Sequence, residues 1–267
     1  MRTERSKGSV TPFPKFRQPV IDSLRQAKNM SVVHMITEVD ITVARRKVRE
    51  FRKRESRPLS FTAYLTACVA RAVNEYKSLH AYRRGNKLVI FEDVDIAVIV
   101  ERRMTDGNAP IYPHVIKAAD KKTVEVIDDE ISAAQRERVD SPERMRWIRL
   151  YWILPGFVRR LMWRVLLNSP RWRKRLTGTV GISAIGMFGN GPAWGIPLPT
   201  YTLNVTVGGI SRKPGLAGGR LESREYLCVT LSFDHNIVDG APAARFGQRL
   251  RELIERGGPL DGWTVGQ

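Results

Sequence analysis

The sequence predicts an α/β fold of two layers, a mixed sheet with helices packed on it. Three observations point there. Strand-like runs alternate with segments of helical period along most of the 267 residues. The aliphatic run Ile96–Val100 offers no polar face, as expected of a central strand covered by helices. The stretch Tyr226–Glu255 passes from an apolar run ending at Phe233 into a segment whose Ala243, Phe246, Leu250, Leu253 and Ile254 share one helical face.

Taken in order, residues 1–15 read as a polar, proline-containing arm. The pattern from Pro19 to Met30 suits a short helix, and Val32–Ile41 alternates as a strand with Glu38 and Asp40 on one side, Val39 and Ile41 on the other. Val43–Glu55 is a densely basic helix that keeps Val43, Val48 and Phe51 for the core. Ser60 is placed to cap a helix whose stripe is Leu65, Cys68, Val69, Ala72 and Val73. Residues 83–100 read as two strands, with Gly85-Asn86 as turn chemistry before the first. A strand around Tyr112–Lys117 and a helix from Thr123 to about Arg138 complete the first half. The second half gives strands near Thr179–Ile185, Tyr201–Val207 and Glu225–Phe233, then the closing helix and a tail at 257–267.

With 42% hydrophobic residues the chain is long enough for one large core, and one domain over 16–256 is expected. Two cysteines, Cys68 and Cys228, are too few for a disulfide framework and fit a reducing compartment. The N-terminal stretch lacks the apolar core of a signal peptide, which predicts a cytoplasmic protein. No glycine-rich nucleotide loop, no Gly-x-Ser-x-Gly elbow and no metal-ligand spacing is present, so nucleotide, serine-hydrolase and metal chemistry are not expected. A net charge of +18 would ordinarily suggest nucleic acid. Here it is concentrated, with ten Lys or Arg and no acidic residue between Arg144 and Arg175, and nucleic acid is not the expected partner.

Of the four histidines, His34 lies in a strand-like alternation, His80 near a helix end and His114 after Pro113; each reads as structural. His235 differs, because Asp239 and Gly240 follow it at fixed spacing where the strand hands over to the helix. An imidazole at the rim of a rigid sheet can be held in one orientation and still meet a substrate. Asp239 also suits the N-cap of the closing helix, and Gly240 a tight backbone passage beneath it.

The stretch SFDHNIVDGAPAARF, Ser232–Phe246, resembles the signature of the catalytic domain of dihydrolipoamide acyltransferases of 2-oxoacid dehydrogenase complexes, whose fold is shared with chloramphenicol acetyltransferase. Three further stretches match in the same order: Phe16–Lys28 followed by Thr37–Thr42, then Val115–Ile131, and Gly181–Gly189. The resemblance implies the chloramphenicol acetyltransferase-like fold and acyl transfer from coenzyme A or a lipoyl group, without a metal. It implies His235 as general base, Ser183 as donor to the oxyanion, and Asp239 holding the loop through an arginine, for which Arg17 is the candidate. It further implies a homotrimer or larger homo-oligomer with the site in a channel between subunits. Two departures stand out: Asn236 replaces the usual arginine after the histidine, and no lipoyl or subunit-docking domain precedes the match, so a lipoyl or acyl-carrier protein would act in trans. A noncatalytic scaffold retaining the fold is the alternative.

The matches leave one gap, a basic and aromatic insertion at about 140–176. Within Phe157–Leu167 the residues Phe157, Val158, Leu161, Met162, Val165 and Leu166 share a face, with Arg160 and Arg164 opposite. Two uses of 144–176 stay open: contact with an anionic membrane, on its inner face, or packing as a helical hairpin, broken at Pro155-Gly156, on its own or a neighbouring subunit. A lid over a long acyl chain is compatible with either. No run reaches the ~20 apolar residues that cross a bilayer.

Overall fold

A computed structural model of the chain describes residues 9, 17–27, 30–101, 111–137, 150–151, 153–186 and 189–261. Most of the N-terminal arm, residues 144–149 of the insertion and the last six residues lie outside these.

The described elements run α1 (Gln18–Ala27), β1 (Val32–Asp40), α2 (Thr42–Glu55), α3 (Phe61–Glu75), β2 (Tyr82–Arg84), β3 (Lys87–Val89), β4 (Ile96–Glu101), β5 (Ile111–Ile116), α4 (Val124–Arg136), α5 (Gly156–Asn168), α6 (Pro170–Thr177), β6 (Val180–Ala184), β7 (Leu203–Ala217), β8 (Arg220–Asp234), α7 (Gly240–Arg256) and α8 (Gly258–Asp261). The six-stranded sheet has the order β1-β8-β7-β6-β4-β5. Its β4–β6 and β6–β7 pairs are parallel and the others antiparallel, so the sheet is mixed. Helices α2, α3, α4 and α7 form the second layer.

Side-chain alternation across this register gives the sheet two unlike faces. Ile96, Val98, Val180, Ile182, Leu203, Val205, Leu231 and Phe233 fall on one face and are all buried under the helices. The rows Gly181–Asn204–Ser232–His34 and Ser183–Thr206–Thr230–Ile36 fall on the other. This polar face is still largely out of solvent, since Thr206, Thr230 and Ser232 are buried. The segment after β6 covers it. A methyl group on Gly208 would lie 2.0 Å from the Ala193 carbonyl oxygen, and one on Gly209 1.9 Å from that of Gly191, so only glycine admits the covering strap here.

Helix α3 starts where its cap predicts: the Ser60 hydroxyl accepts from the Ala63 N–H at 3.1 Å. Thr123 caps α4 in the same way. Helix α1 is described over Gln18–Ala27, and Met30, to which the sequence pattern extended it, is not helical. Gly85-Asn86 turns between β2 and β3, whereas the sequence pattern placed it before the first strand. The larger difference is in β7 and β8, predicted to stop at Val207 and begin at Glu225. They extend to a hairpin of two 15-residue strands, with a register shift between Val207 and Ile210. Gly208-Gly209 and Pro214 interrupt the apolar run that would have signalled the strand. Residues 258–261, assigned to the tail from sequence, form α8, which Arg71 holds by donating to the Gly258 carbonyl at 2.9 Å. Both cysteines are free and buried.

Candidate active site

Strand β8 delivers His235 into a tightly bonded turn. The Asp234 N–H donates to the Thr202 carbonyl at 2.9 Å, and the His235 N–H to the Ser31 carbonyl at 2.6 Å. Asp234, itself buried, accepts from the Asn236 N–H at 3.1 Å and the Asn236 side-chain amide at 2.8 Å. Its carbonyl accepts from the Ile237 and Val238 N–H groups, both at 3.0 Å, and buried Val238 pins the exit. The backbone is therefore fixed on both sides of His235 while its side chain is exposed. Among the described residues no hydrogen bond engages the imidazole. Sequence reasoning missed Asp234 and Ser31; the signal for Asp234 was an aspartate at the head of a turn, where its carboxylate can bond the backbone two residues on.

Asp239 occupies the N-cap position of α7 with extended backbone (φ −81°, ψ 166°), but its side chain makes no cap hydrogen bond. Its carbonyl accepts from the Ala243 N–H at 3.1 Å. Arg17 is exposed, and no ion pair joins it to Asp239 among the described residues. Gly240 does not serve a tight passage: a methyl group there would meet nothing within 4 Å, and its φ is ordinary.

Ser183 sits near the C-terminal end of β6, half-buried on the polar face, opposite Thr206 of β7, which is in turn opposite Thr230 of β8. The Thr206 and Thr230 hydroxyls are buried without hydrogen-bond partners. His235 lies five residues beyond Thr230. At strand geometry that separates the two rows by roughly 17 Å along β8 and about 10 Å across two strand spacings. One chain therefore does not bring Ser183 to His235. His34 donates or accepts at 2.8 Å with Ser232 on the same face. Among the described residues no group of three His, Cys, Asp or Glu could hold a metal ion.

A model of the family described as 2-oxoacid dehydrogenases acyltransferase (catalytic domain) matches residues 5–141 and 173–260. The chain belongs to this family. The unmatched residues 142–172 coincide with the insertion seen in the sequence. Among curated relatives of the family, the lipoamide acyltransferase component of the branched-chain alpha-keto acid dehydrogenase complex of Bacillus subtilis is 24% identical over 91% of this chain and 51% of its own. The dihydrolipoyllysine-residue succinyltransferase component of the 2-oxoglutarate dehydrogenase complex of the same organism is 25% identical over 92% and 53%. The chain thus spans about half the length of the curated relatives it matches. A probable dihydrolipoamide acetyltransferase of Listeria monocytogenes shares the fold with a TM-score of 0.69 at 22% identity, covering 94% of this chain and 96% of that one. So does the dihydrolipoamide acetyltransferase of Azotobacter vinelandii, at TM-score 0.68 and 20% identity over 95% and 94%, in which a serine, a histidine and an asparagine were investigated for their role in the catalytic mechanism.

Proposed function

We propose that this family member is an acyltransferase that moves an acyl group between a coenzyme A or lipoyl thioester and an acceptor. Its catalytic unit is residues 16–256 with the insertion carried inside it. The observation behind this is an offset. Ser183 precedes His235 by 52 residues and Asp239 follows it by four, and the serine and asparagine studied in the Azotobacter acetyltransferase stand at the same two offsets from its histidine. Asp239 departs from that protein in carrying a carboxylate.

His235 takes the proton from an incoming thiol, whose ordinary pKa near 8.5 leaves it mostly protonated at neutral pH. The sulfur forms a bond to the thioester carbonyl carbon, and the electron pair of the carbonyl moves onto oxygen. The Ser183 hydroxyl donates to that oxygen. Collapse breaks the original carbon–sulfur bond, and the imidazolium returns its proton to the departing thiolate. Since the chain's own Ser183 and His235 lie in rows roughly 17 Å apart along β8, the working form is a homotrimer or larger homo-oligomer in which one copy supplies the base and a neighbour the hydroxyl. The acyl group arrives on coenzyme A or on a lipoyl or acyl-carrier protein, and the setting is cytoplasmic.

The test is thioester turnover with a panel of acyl-coenzyme A donors and dihydrolipoyl acceptors, read as thiol release. His235→Ala lowers turnover by about 10²- to 10⁴-fold and Ser183→Ala by about 10²- to 10³-fold, with unchanged thermal unfolding. Undiminished turnover in His235→Ala would exclude His235 as the base, and wild-type turnover no faster than the uncatalysed reaction would exclude the enzyme and leave the scaffold.

A further inference from the structure

The insertion puts its cations to two different uses. Arg159, Arg173 and Lys174 turn inward: Arg159 pairs with Asp22 at 3.4 Å, Arg173 donates to the Thr200 carbonyl at 2.6 Å and stacks 3.9 Å over the Tyr82 ring, and Lys174 pairs with Asp95 at 3.3 Å. Arg160, Arg164, Arg171 and Arg175 are exposed, and none has a carboxylate partner among the described residues. The apolar residues divide in the same way. Trp163 donates to the Tyr151 hydroxyl at 3.0 Å on the packed side of α5. Ile153, Phe157, Leu161 and Val165 recur every four residues and are 79%, 65%, 60% and 64% exposed. On α6, Trp172 and Leu176 are more than half exposed.

Residues three apart on a helix are neighbours, so Arg160 and Arg164 border Phe157 and Leu161. The sequence pattern set them opposite the apolar face as a whole; within the fold they flank the part of it that α1 leaves uncovered. Among the described residues that strip stays exposed, and Arg175 alone of the four guanidinium groups has a partner, the Trp172 ring 5.6 Å away.

We propose that the outer strip of α5, with the outward arginines of α5 and α6, docks on the surface of an anionic lipid bilayer. Charge complementarity selects this occupant. Among the described residues none of the four guanidinium groups has a carboxylate partner, and the sequence has no acidic residue from Arg144 to Arg175, so what covers this surface must supply negative charge as well as apolar area. A second copy meeting strip to strip would bring the same four cations into contact. A bilayer interface supplies phosphates at the level where arginine heads reach out and acyl boundary where Phe157, Leu161 and Val165 sink. The 13 residues of α5 reach about 20 Å, less than the ~30 Å hydrocarbon core, so the helix lies in the interface plane. Among the described residues no helix is long and apolar enough to cross a membrane.

The experiment is cosedimentation of the full chain with vesicles of phosphatidylcholine alone, or with about a third phosphatidylglycerol, at low and high salt. The chain is expected to pellet with the anionic vesicles only, and less at high salt. At about 1 kcal/mol per arginine, the double variant Arg160→Gln, Arg164→Gln partitions about thirtyfold more weakly. The double variant Phe157→Ser, Leu161→Ser loses binding while keeping its circular dichroism and melting temperature. Equal binding to both vesicle types, or a double arginine variant that binds like wild type, would overturn the proposal. So would a wild type that ignores vesicles while Phe157→Ser, Leu161→Ser falls to a smaller mass by light scattering, which assigns the strip to subunit packing.

Discussion

Burial holds the His80 imidazole far below its ordinary range, at about 4, with the nearby Lys174 charge adding to the effect. The Thr179 hydroxyl donates to the Asp95 carbonyl at 3.0 Å, so its oxygen is left to accept from the His80 Nδ1–H at 3.3 Å, and Nε2 is buried with no partner. Folded His80 is thus neutral, whereas in the unfolded chain it takes up a proton as pH falls through its ordinary 6.5. Stability contributed by the neutral ring is complete above 6.5, declines as pH falls to about 4 and is flat below. At pH 5 the loss is about 2 kcal/mol, and urea midpoints at pH 7 and pH 5 should show that step in wild type but not in His80→Gln. The sequence marked His80 as a structural histidine at a helix end, and it is one. Its burial was not legible, because the groups that cover it, Thr179 and Phe91 among them, are distant in the chain. The Ser60 cap was easier: it acts on a donor three residues away, so its role needs no tertiary information. Asp239 shows the limit of that logic, since it stands at the cap position without making the bond.

Elements with a regular apolar pattern were read well, as α3, β1 and β4 show, because periodicity and apolar run length report local structure directly. The outer half of β7 and β8 was not: in β7 side chains alternate between half-exposed and exposed, in β8 Arg220–Ser223 are all exposed, and Leu216 and Leu221 near the tip are 76% and 73% exposed. Its pairing is set by backbone bonds and by the ion pair of Arg212 with Glu225 at 3.5 Å. Helix α5 was legible as an amphipathic helix, but not which side packs. That is decided by Asp22, buried on α1, which accepts from the Tyr151 hydroxyl at 2.6 Å and from Gln18, and pairs with Arg159 and Arg25. Burial, reinforced by the Asp22 carboxylate, pushes the Tyr151 phenol up to about 12, so this bond persists throughout the neutral range. Removing a buried charge that several groups address costs about 2 to 3 kcal/mol. Asp22→Ala should raise hydrogen exchange in α5 about a hundredfold, by the same constants, while the amides of β6–β8 keep their protection. Unchanged protection in α5 would mean that its packing on α1 does not depend on this carboxylate.

At the scale of the whole molecule, the two polar residues that the resemblance joins are held apart by the sheet itself. Ser183 is level with Thr230 and His235 is five residues further along β8, a separation no side-chain rotation closes. The resemblance points to both residues but not to the distance between them, since register is a property of paired strands and neither motif encodes it. In the proposed oligomer, copies arranged head to tail would bring the end of one sheet to the polar face of the next, and such heterologous contacts form a ring when the rotation between copies closes. This predicts complementation. His235→Ala and Ser183→Ala are each inactive alone, but oligomers formed from an equal mixture of the two, dissociated and reassembled together, contain sites in which an intact imidazole from one variant faces an intact hydroxyl from the other. Random assembly makes about a quarter of sites complete, so turnover should return to about a quarter of wild type. A site built within one chain gives no recovery at any mixing ratio, because every chain in the mixture lacks one of the two groups. Recovery that appears only after reassembly, and not on mixing preformed oligomers, would place the shared site at the subunit boundary.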